Sequence, residues 1–157
     1  MILEKTNRGY GSVNVWGGIF GNVKTPLIRL YGRLTGDVYI RDILAEKVLP
    51  FLQNRVGGML MHDNAPPHRA RVTQEFLEGA GFAVLPWPAV SPDLNPIENV
   101  WAAMKSALRD RPVAGNSDDL FTLLTEVWDS VDALPYISSM RKRVVATIDA
   151  EGGYTKY

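Results

Sequence analysis

Two acids stand out by the company they keep. Asp63 lies in "HDNAPPH" (62–68), which holds both of the chain's histidines, an amide and two prolines, directly after the apolar run "GGMLM". Glu98 lies in "PDLNPIENVW" (92–101), behind prolines at 88, 92 and 96. Carboxylates at the end of a strand and at the start of a helix suit a hard divalent cation such as Mg²⁺, which prefers oxygen donors and keeps room for water and phosphate oxygens. Two such ions, roughly 3.5–4 Å apart, would activate the attacking oxygen and stabilise the leaving oxygen of a phosphodiester. The pattern points to metal-dependent phosphoryl transfer.

Spacing alone leaves plainer roles open. Glu98 stands three residues after Asn95, where a capping box places its acid, and a helix N-terminus favours an ionised carboxylate whether or not it also binds metal. Asp63 could be a turn or cap residue ahead of "APPH". His68 suits a supporting or packing role better than ligation, since hard cations prefer oxygen and the chain holds only two histidines. His62 could be a satisfied core histidine on its strand.

The elements that must deliver these acids can be read from periodicity. "SVNVWGGIF" (12–20) and "TPLIRLYG" (25–32) are β-rich and predict an antiparallel hairpin around "GNVK". From Thr35 to about Leu52, Val38, Ile40, Ile43, Leu44, Val48 and Leu52 recur at helical spacing, with Pro50 expected to kink or shorten the helix. "GGMLMHD" (57–63) and "FAVLPW" (82–87) read as strands, with a helix over 68–81 between them. Asn95 as N-cap and Pro96 at the first helical position predict a helix with Ile97, Val100, Trp101, Met104 and Leu108 on its apolar face. Further helices are expected over 117–131 and 134–152. Hairpin, helix, strand, helix, strand and helices imply one α/β domain over 1–157 with a mixed sheet, residues 117–152 included. Such a sheet places ligands in the crevice beyond its strand ends, which is where Asp63 and Glu98 would meet.

Bulk properties narrow the class. The 157 residues carry 17 Lys plus Arg and 17 Asp plus Glu, so a nucleic-acid partner would need a local basic surface rather than net charge. No cysteine is present, which excludes disulfides and thiolate metal sites and fits a reducing compartment. No apolar run suits a membrane span or signal peptide, so the sequence predicts a soluble, intracellular domain. Lys105 and Arg109 follow Glu98 at offsets of seven and eleven, along one line of the helix. Together with Arg69, Arg71 and "RKR" (141–143), they suggest either a phosphate track or a solvated charged face. Trp16, Trp87, Trp101 and Trp128 are assigned to packing by their apolar neighbours.

"HDNAPPHRA" followed by "LPWPAVSPDLNPIENVW" resembles the catalytic core of the Tc/mariner superfamily of DNA transposases, Tc branch. "SVNVWGGIF", "VLPFL" and "EGGYTKY" extend the likeness over nearly the whole chain. The resemblance implies an RNase H-like (retroviral integrase-like) mixed sheet flanked by helices. It also implies a triad of acids in which Asp63 and Glu98 take the second and third places as metal ligands for Mg²⁺ (or Mn²⁺). Positions 64 through 97 separate them, 34 residues, the Tc-branch spacing. Asn64, Pro67 and His68 match the signature around the second acid, and Asp93, Asn95 and Pro96 the signature before the third. Asn64, His68 and Asn95 would support the ligands. Partners implied are double-stranded DNA (transposon ends and target) and a second transposase subunit, with nuclear localisation in a eukaryotic host and cytoplasmic otherwise.

The family's first catalytic Asp lies on an upstream strand, but only twelve residues precede Val13 and none is Asp. The expectation is an N-terminally truncated domain with its first strand missing, an open sheet edge that favours self-association, and little cleavage by this chain alone. Glu4 would substitute only if "MILEK" formed the strand, and Asp37 and Asp42 read as helix-end charges.

Overall fold

The computed structural model describes residues 2–3, 12–53, 55, 58–88, 91–151, 153 and 155. Two compact units are distinguished, Met1–Leu30 with Ser91–Tyr157, and Tyr31–Val90.

The first unit is built on the expected hairpin, which is interrupted. β2 (Val13–Trp16) pairs antiparallel with β5 (Ile28–Leu30), with Val15 opposite Arg29, and β3 (Ile19–Phe20) pairs with β4 (Val23–Lys24). The reversal falls at Gly21, whose φ of 57° a glycine adopts without strain, so Val23 and Lys24 belong to a strand and not to the turn. The interruption has a packing cause. A Cβ at Gly17 would lie 2.8 Å from Trp128 Cη2, so the strand leaves its pleat where the indole presses on it. Thr25 bridges the gap, its hydroxyl accepting from Gly18 N–H at 2.8 Å and its carbonyl from Trp128 Nε1 at 2.9 Å. Where the sequence predicts no strand ahead of Val13, Ile2–Leu3 (β1) pairs antiparallel with β2, giving the order β1-β2-β5. Glu4 lies outside the described residues.

Alternate residues of β2 explain the burial. Val13 and Val15 face a core with Val100, Trp101 and Met104 of α5 (Pro96–Arg109) and Leu120, Leu124, Val127 and Trp128 of α6 (Ser117–Ser130). The two indoles stack at 5.1 Å, and each fully buried large apolar side chain contributes about 1.5–3 kcal/mol. α6 opens as predicted, with Asn116 Oδ1 accepting from Asp118 and Asp119 N–H. At its other end Lys24 Nζ donates to the Trp128, Asp129 and Val131 carbonyls, satisfying groups a helix C-terminus leaves bare. The single helix expected over 134–152 is two: α7 (Leu134–Ser138) and α8 (Met140–Asp149), parted at Ser139.

The second unit holds a helical run through α1 (Gly36–Val38), an i→i+5 bonded stretch Tyr39–Val48 and α2 (Leu49–Gln53). Thr35 caps it, its hydroxyl accepting from Val38 N–H at 3.3 Å. The wider winding moves the buried face. Tyr39, Ile43, Leu44 and Val48 recur every four to five residues and are buried, whereas Val38 and Ile40 are only half-buried. Pro50 sits where ordinary winding resumes, and the helix runs on to Gln53. The helix expected over 68–81 begins earlier and breaks: α3 (Pro66–Arg69) and α4 (Arg71–Gly79) are parted by Ala70 at ψ 138°. The two predicted strands shrink to one parallel bridge, Leu60 with Val84, made by Leu60 N–H to Ala83 O and Leu85 N–H to Leu60 O. Pro86 and Pro88 have no N–H with which to extend such a ladder.

Candidate active site

Asp63 emerges from the Leu60 bridge into a turn that it helps to make. Its Oδ1 accepts from Ala65 N–H at 3.0 Å, so the turn role that spacing left open is real. Prolines 66 and 67 then start α3, whose last carbonyls are orphaned by the break at Ala70. Thr73 Oγ1 donates to Pro67 O at 2.7 Å and Gln74 Nε2 to His68 O at 2.6 Å, closing both. α1 lies hard against this corner: a Cβ on Gly36 would sit 2.9 Å from Ala70 Cβ. That contact brings Tyr39 to the two histidines.

The same Oδ1 of Asp63 lies 2.7 Å from His68 Nδ1. A carboxylate can only accept, so this nitrogen carries the proton and donates. The His68 ring stacks on His62 at 4.7 Å with 12° between planes, and the Tyr39 ring lies 4.4 Å away. Tyr39 Oη lies 3.2 Å from His62 Nδ1, within hydrogen-bonding distance, and burial holds the phenol protonated far above its usual range. Burial lowers the His62 pKa to about 4, helped by His68, so its ring is neutral at neutral pH. The His68 hydrogen bond, with that from Ala65, outweighs desolvation and holds Asp63 at about 2. The acid is therefore ionised, with Oδ2 unengaged among the described residues and its side chain 57% exposed. A cavity of about 200 Å³ opens beside it, lined by Asp63, Asn64, His68, Arg69, Gln74 and Trp87 among others. Asn64 Nδ2 donates to Trp87 O at 3.2 Å, tying the two predicted strand ends to one wall.

The structure thus gathers Asp63, Asn64, His68 and Arg69 round one cavity of the second unit. Glu98, Asn95, Lys105 and Arg109 belong to the first unit, on or beside α5. Asn95 is the N-cap, its Oδ1 accepting from Ile97 N–H at 3.4 Å. A capping box would require Glu98 to accept from Asn95 N–H, but that donor is spent on Pro92 O at 3.0 Å. Among the described residues the half-buried Glu98 carboxylate makes no hydrogen bond or ion pair, so capping is not its task. Lys105 and Arg109 are exposed and form no salt bridge among the described residues. Arg69 is exposed, whereas Arg71 pairs one turn on with Glu75 at 2.5 Å. Within "RKR", Arg143 is buried and donates to Ser139 Oγ and Asp93 O, while Arg141 and Lys142 are exposed. Sequence reasoning missed Tyr39 and the anchoring part of Arg143; an aromatic among aliphatics at the start of a helix was the available signal for the first.

In kind, the donors fit a hard cation: among the described residues, Asp63 is ionised with one oxygen unengaged and the Glu98 carboxylate has no partner. Among the described residues no three His, Asp or Glu side chains form a ready-made cation site. Nor is any helix among them long and apolar enough to cross a membrane.

Comparison with known proteins identifies the family. Residues 2–120 match the model of the DDE superfamily endonucleases. The Tcb2 transposable-element transposase of Caenorhabditis briggsae is 34% identical over 160 residues, covering 99% of this chain and 58% of that protein. This chain thus spans little more than half the length of that relative. The Mos1 transposase catalytic domain, solved with raltegravir and Mg, superposes with a TM-score of 0.72 at 22% identity, covering 92% of this chain and 85% of that one. Mos1 in a paired-end complex with the left transposon end gives 0.79 at 23% identity, covering 97% of this chain and 47% of that one. Those likenesses show the RNase H-like fold that the resemblance implies, and the Mos1 catalytic domain has been solved with Mn as well as with Mg. With three quarters of its length matched by the family model and Tc1/mariner transposases as its homologues, this chain belongs to the DDE superfamily endonucleases.

Proposed function

We propose that this chain is the catalytic core of a cut-and-paste DNA transposase, with Asp63 and Glu98 as its metal ligands. The observation that carries the reading is Asp63 itself: an ionised, half-tethered carboxylate with one oxygen free at the mouth of a polar cavity. Mg²⁺, or Mn²⁺ in its place, would supply electrostatic stabilisation of the phosphodiester under attack. The protein's part is preparation. Ala65 N–H and His68 hold Asp63 oriented and anionic, Asn95 and Pro96 set the start of the helix that carries Glu98, and neither acid bonds covalently to DNA. Arg69, Lys105 and Arg109 would take phosphates of duplex DNA, transposon end or target, while a second transposase subunit would complete the assembly. In a eukaryotic host the chain would act in the nucleus.

The family's reaction uses three acids, and two are accounted for. Supercoiled DNA with Mg²⁺ or Mn²⁺ should therefore be cut little or not at all by this chain alone. Robust cutting that vanishes in Asp63→Ala would show that the chain suffices. A second reading, a DNA- or protein-binding module without catalysis, is favoured by the lack of a three-residue cation cluster among the described residues. Calorimetric titration with Mn²⁺ separates the two: site-specific binding lost in Asp63→Ala supports the enzyme core, and no binding supports the module. Reversing both charges in Lys105→Glu/Arg109→Glu should weaken DNA binding and lower the slope of log K against log salt by roughly 2. Unchanged binding would leave those residues as a solvated face.

A further inference from the structure

The proposed function leaves one buried polar side chain without a task, Tyr39. It is 1% exposed and stands where the i→i+5 winding begins. A purely apolar role there would be served by phenylalanine, without the cost of burying a hydroxyl. The hydroxyl is instead used, in a hydrogen bond with His62 Nδ1 at 3.2 Å, and the ring face is used as well, against His68. Both histidines thereby acquire fixed planes. His68 is only 13% exposed, and among the described residues its one side-chain partner besides the two rings is Asp63.

Asp63 needs such help. With over half its surface in water, an unrestrained aspartate would sample several rotamers and present either oxygen to a ligand, and ordering it would subtract from binding. A ring held from two sides offers its Nδ1–H in one direction only.

We infer that Tyr39 is a positioning residue for Asp63: through His62 and His68 it holds Oδ1 occupied and leaves Oδ2 as the oxygen presented to the cavity. The assignment of Oδ2 to a metal or phosphate partner rests on the reading of Asp63 as a ligand; the positioning of the carboxylate does not. By the same inference the two rings take opposite tautomers: His68 donates from Nδ1 to a carboxylate, and with the phenol, a better donor than acceptor, giving its proton, His62 receives at Nδ1 and carries its own on Nε2.

The test uses the metal-free chain with ¹⁵N-labelled histidine. The wild type should give one ring protonated at Nε2 and one at Nδ1, the latter with a slowly exchanging proton. Tyr39→Phe keeps the ring face and drops the hydroxyl, so His62 should redistribute between tautomers and the His68 Nδ1 proton should exchange several-fold faster. Tyr39→Leu removes both contacts and should speed that exchange at least tenfold, while the backbone amide spectrum of α5 and α6 stays in place. Wild-type ring signals and exchange in either variant would overturn the inference. Should Tyr39→Leu fail to fold, Tyr39→Phe decides alone by the same criterion. Mn²⁺ titration adds an independent readout: affinity should fall several-fold in Tyr39→Phe. A wild type that shows both tautomers yet binds no Mn²⁺ would sink the metal-ligand reading and leave the positioning intact.

Discussion

Asp63 and Glu98 are placed by opposite means. Asp63 is held at its carboxylate, by a backbone N–H at 3.0 Å, a histidine at 2.7 Å and two further rings behind that histidine. Glu98 is held only through its backbone. The turn Pro92–Leu94 leads into Asn95 and Pro96, and this turn is pinned from the C-terminal side by Arg143 on Asp93 O and Thr155 on Asp93 Oδ2. Its carboxylate keeps its rotors. Ordering the Glu98 side chain on a partner would cost up to roughly 1.5–2 kcal/mol in side-chain entropy, whereas the Asp63 carboxylate is already set. One carboxylate is thus fixed by its surroundings, and the other keeps its conformational freedom.

The contrast breaks most visibly at its backbone anchor. Arg143 is 3% exposed and donates to Ser139 Oγ at 2.8 Å and Asp93 O at 3.1 Å. Charged donors contribute about 1.5–3 kcal/mol each, and their loss strands a carbonyl. Arg143→Met should therefore cost roughly 2–4 kcal/mol in urea denaturation while the ring signals of His62 and His68 stay as they are. Loss of those signals with the first unit intact would show that the two acids do not depend on separate supports.

Acid should weaken the other support first. The folded-state pKa of His62 is about 4 against an ordinary 6.5, mainly through burial. A lowered pKa means that the unfolded chain binds the proton more readily, so the stability His62 contributes is present above pH 6.5 and is lost as pH falls towards 4. That loss should reach roughly 2–3 kcal/mol at pH 4. His62→Asn keeps an acceptor for Tyr39 and removes the titrating ring, and its stability should stay level over the same interval. Parallel pH curves for wild type and variant would assign the acid sensitivity elsewhere.

This contrast was only half legible in the sequence. The Glu98 side is local: Asn95, Pro96 and the apolar positions 97, 100, 101, 104 and 108 specify a capped helix, and α5 runs Pro96–Arg109 as expected. So does the hairpin, because β-branched runs and Gly21 act over a few residues. What escaped is non-local. Nothing near Gly17 announces that Trp128, more than a hundred residues on, will press there and part the strand. Arg143 reads as one of three surface cations until Asp93 is known to face it. Tyr39 was hidden by period: Val38, Ile40 and Ile43 suggest ordinary helical winding, and only the i→i+5 bonds turn Tyr39 inward. The strands at 57–63 and 82–87 were overdrawn because apolar composition records burial and says nothing of how many ladder bonds the prolines permit.

The smallest effect sharpens the contrast most. His68→Ala deletes the chief cause of the low Asp63 pKa and leaves Ala65 N–H as the only bond to the carboxylate among the described residues. Asp63 should then titrate well above about 2, nearer its ordinary 3.8. A depressed carboxylate pKa contributes stability above the unfolded value and loses it as pH falls through the folded one, so the variant should forfeit a small increment confined to pH about 2–4. With the side chain over half exposed, screening keeps that increment at the scale of a surface ion pair, under about 1 kcal/mol. Carbon-13 titration of the Asp63 carboxyl gives the sharper reading: its curve should move to higher pH than in the wild type. If it does not, His68 packs against Asp63 without governing its charge.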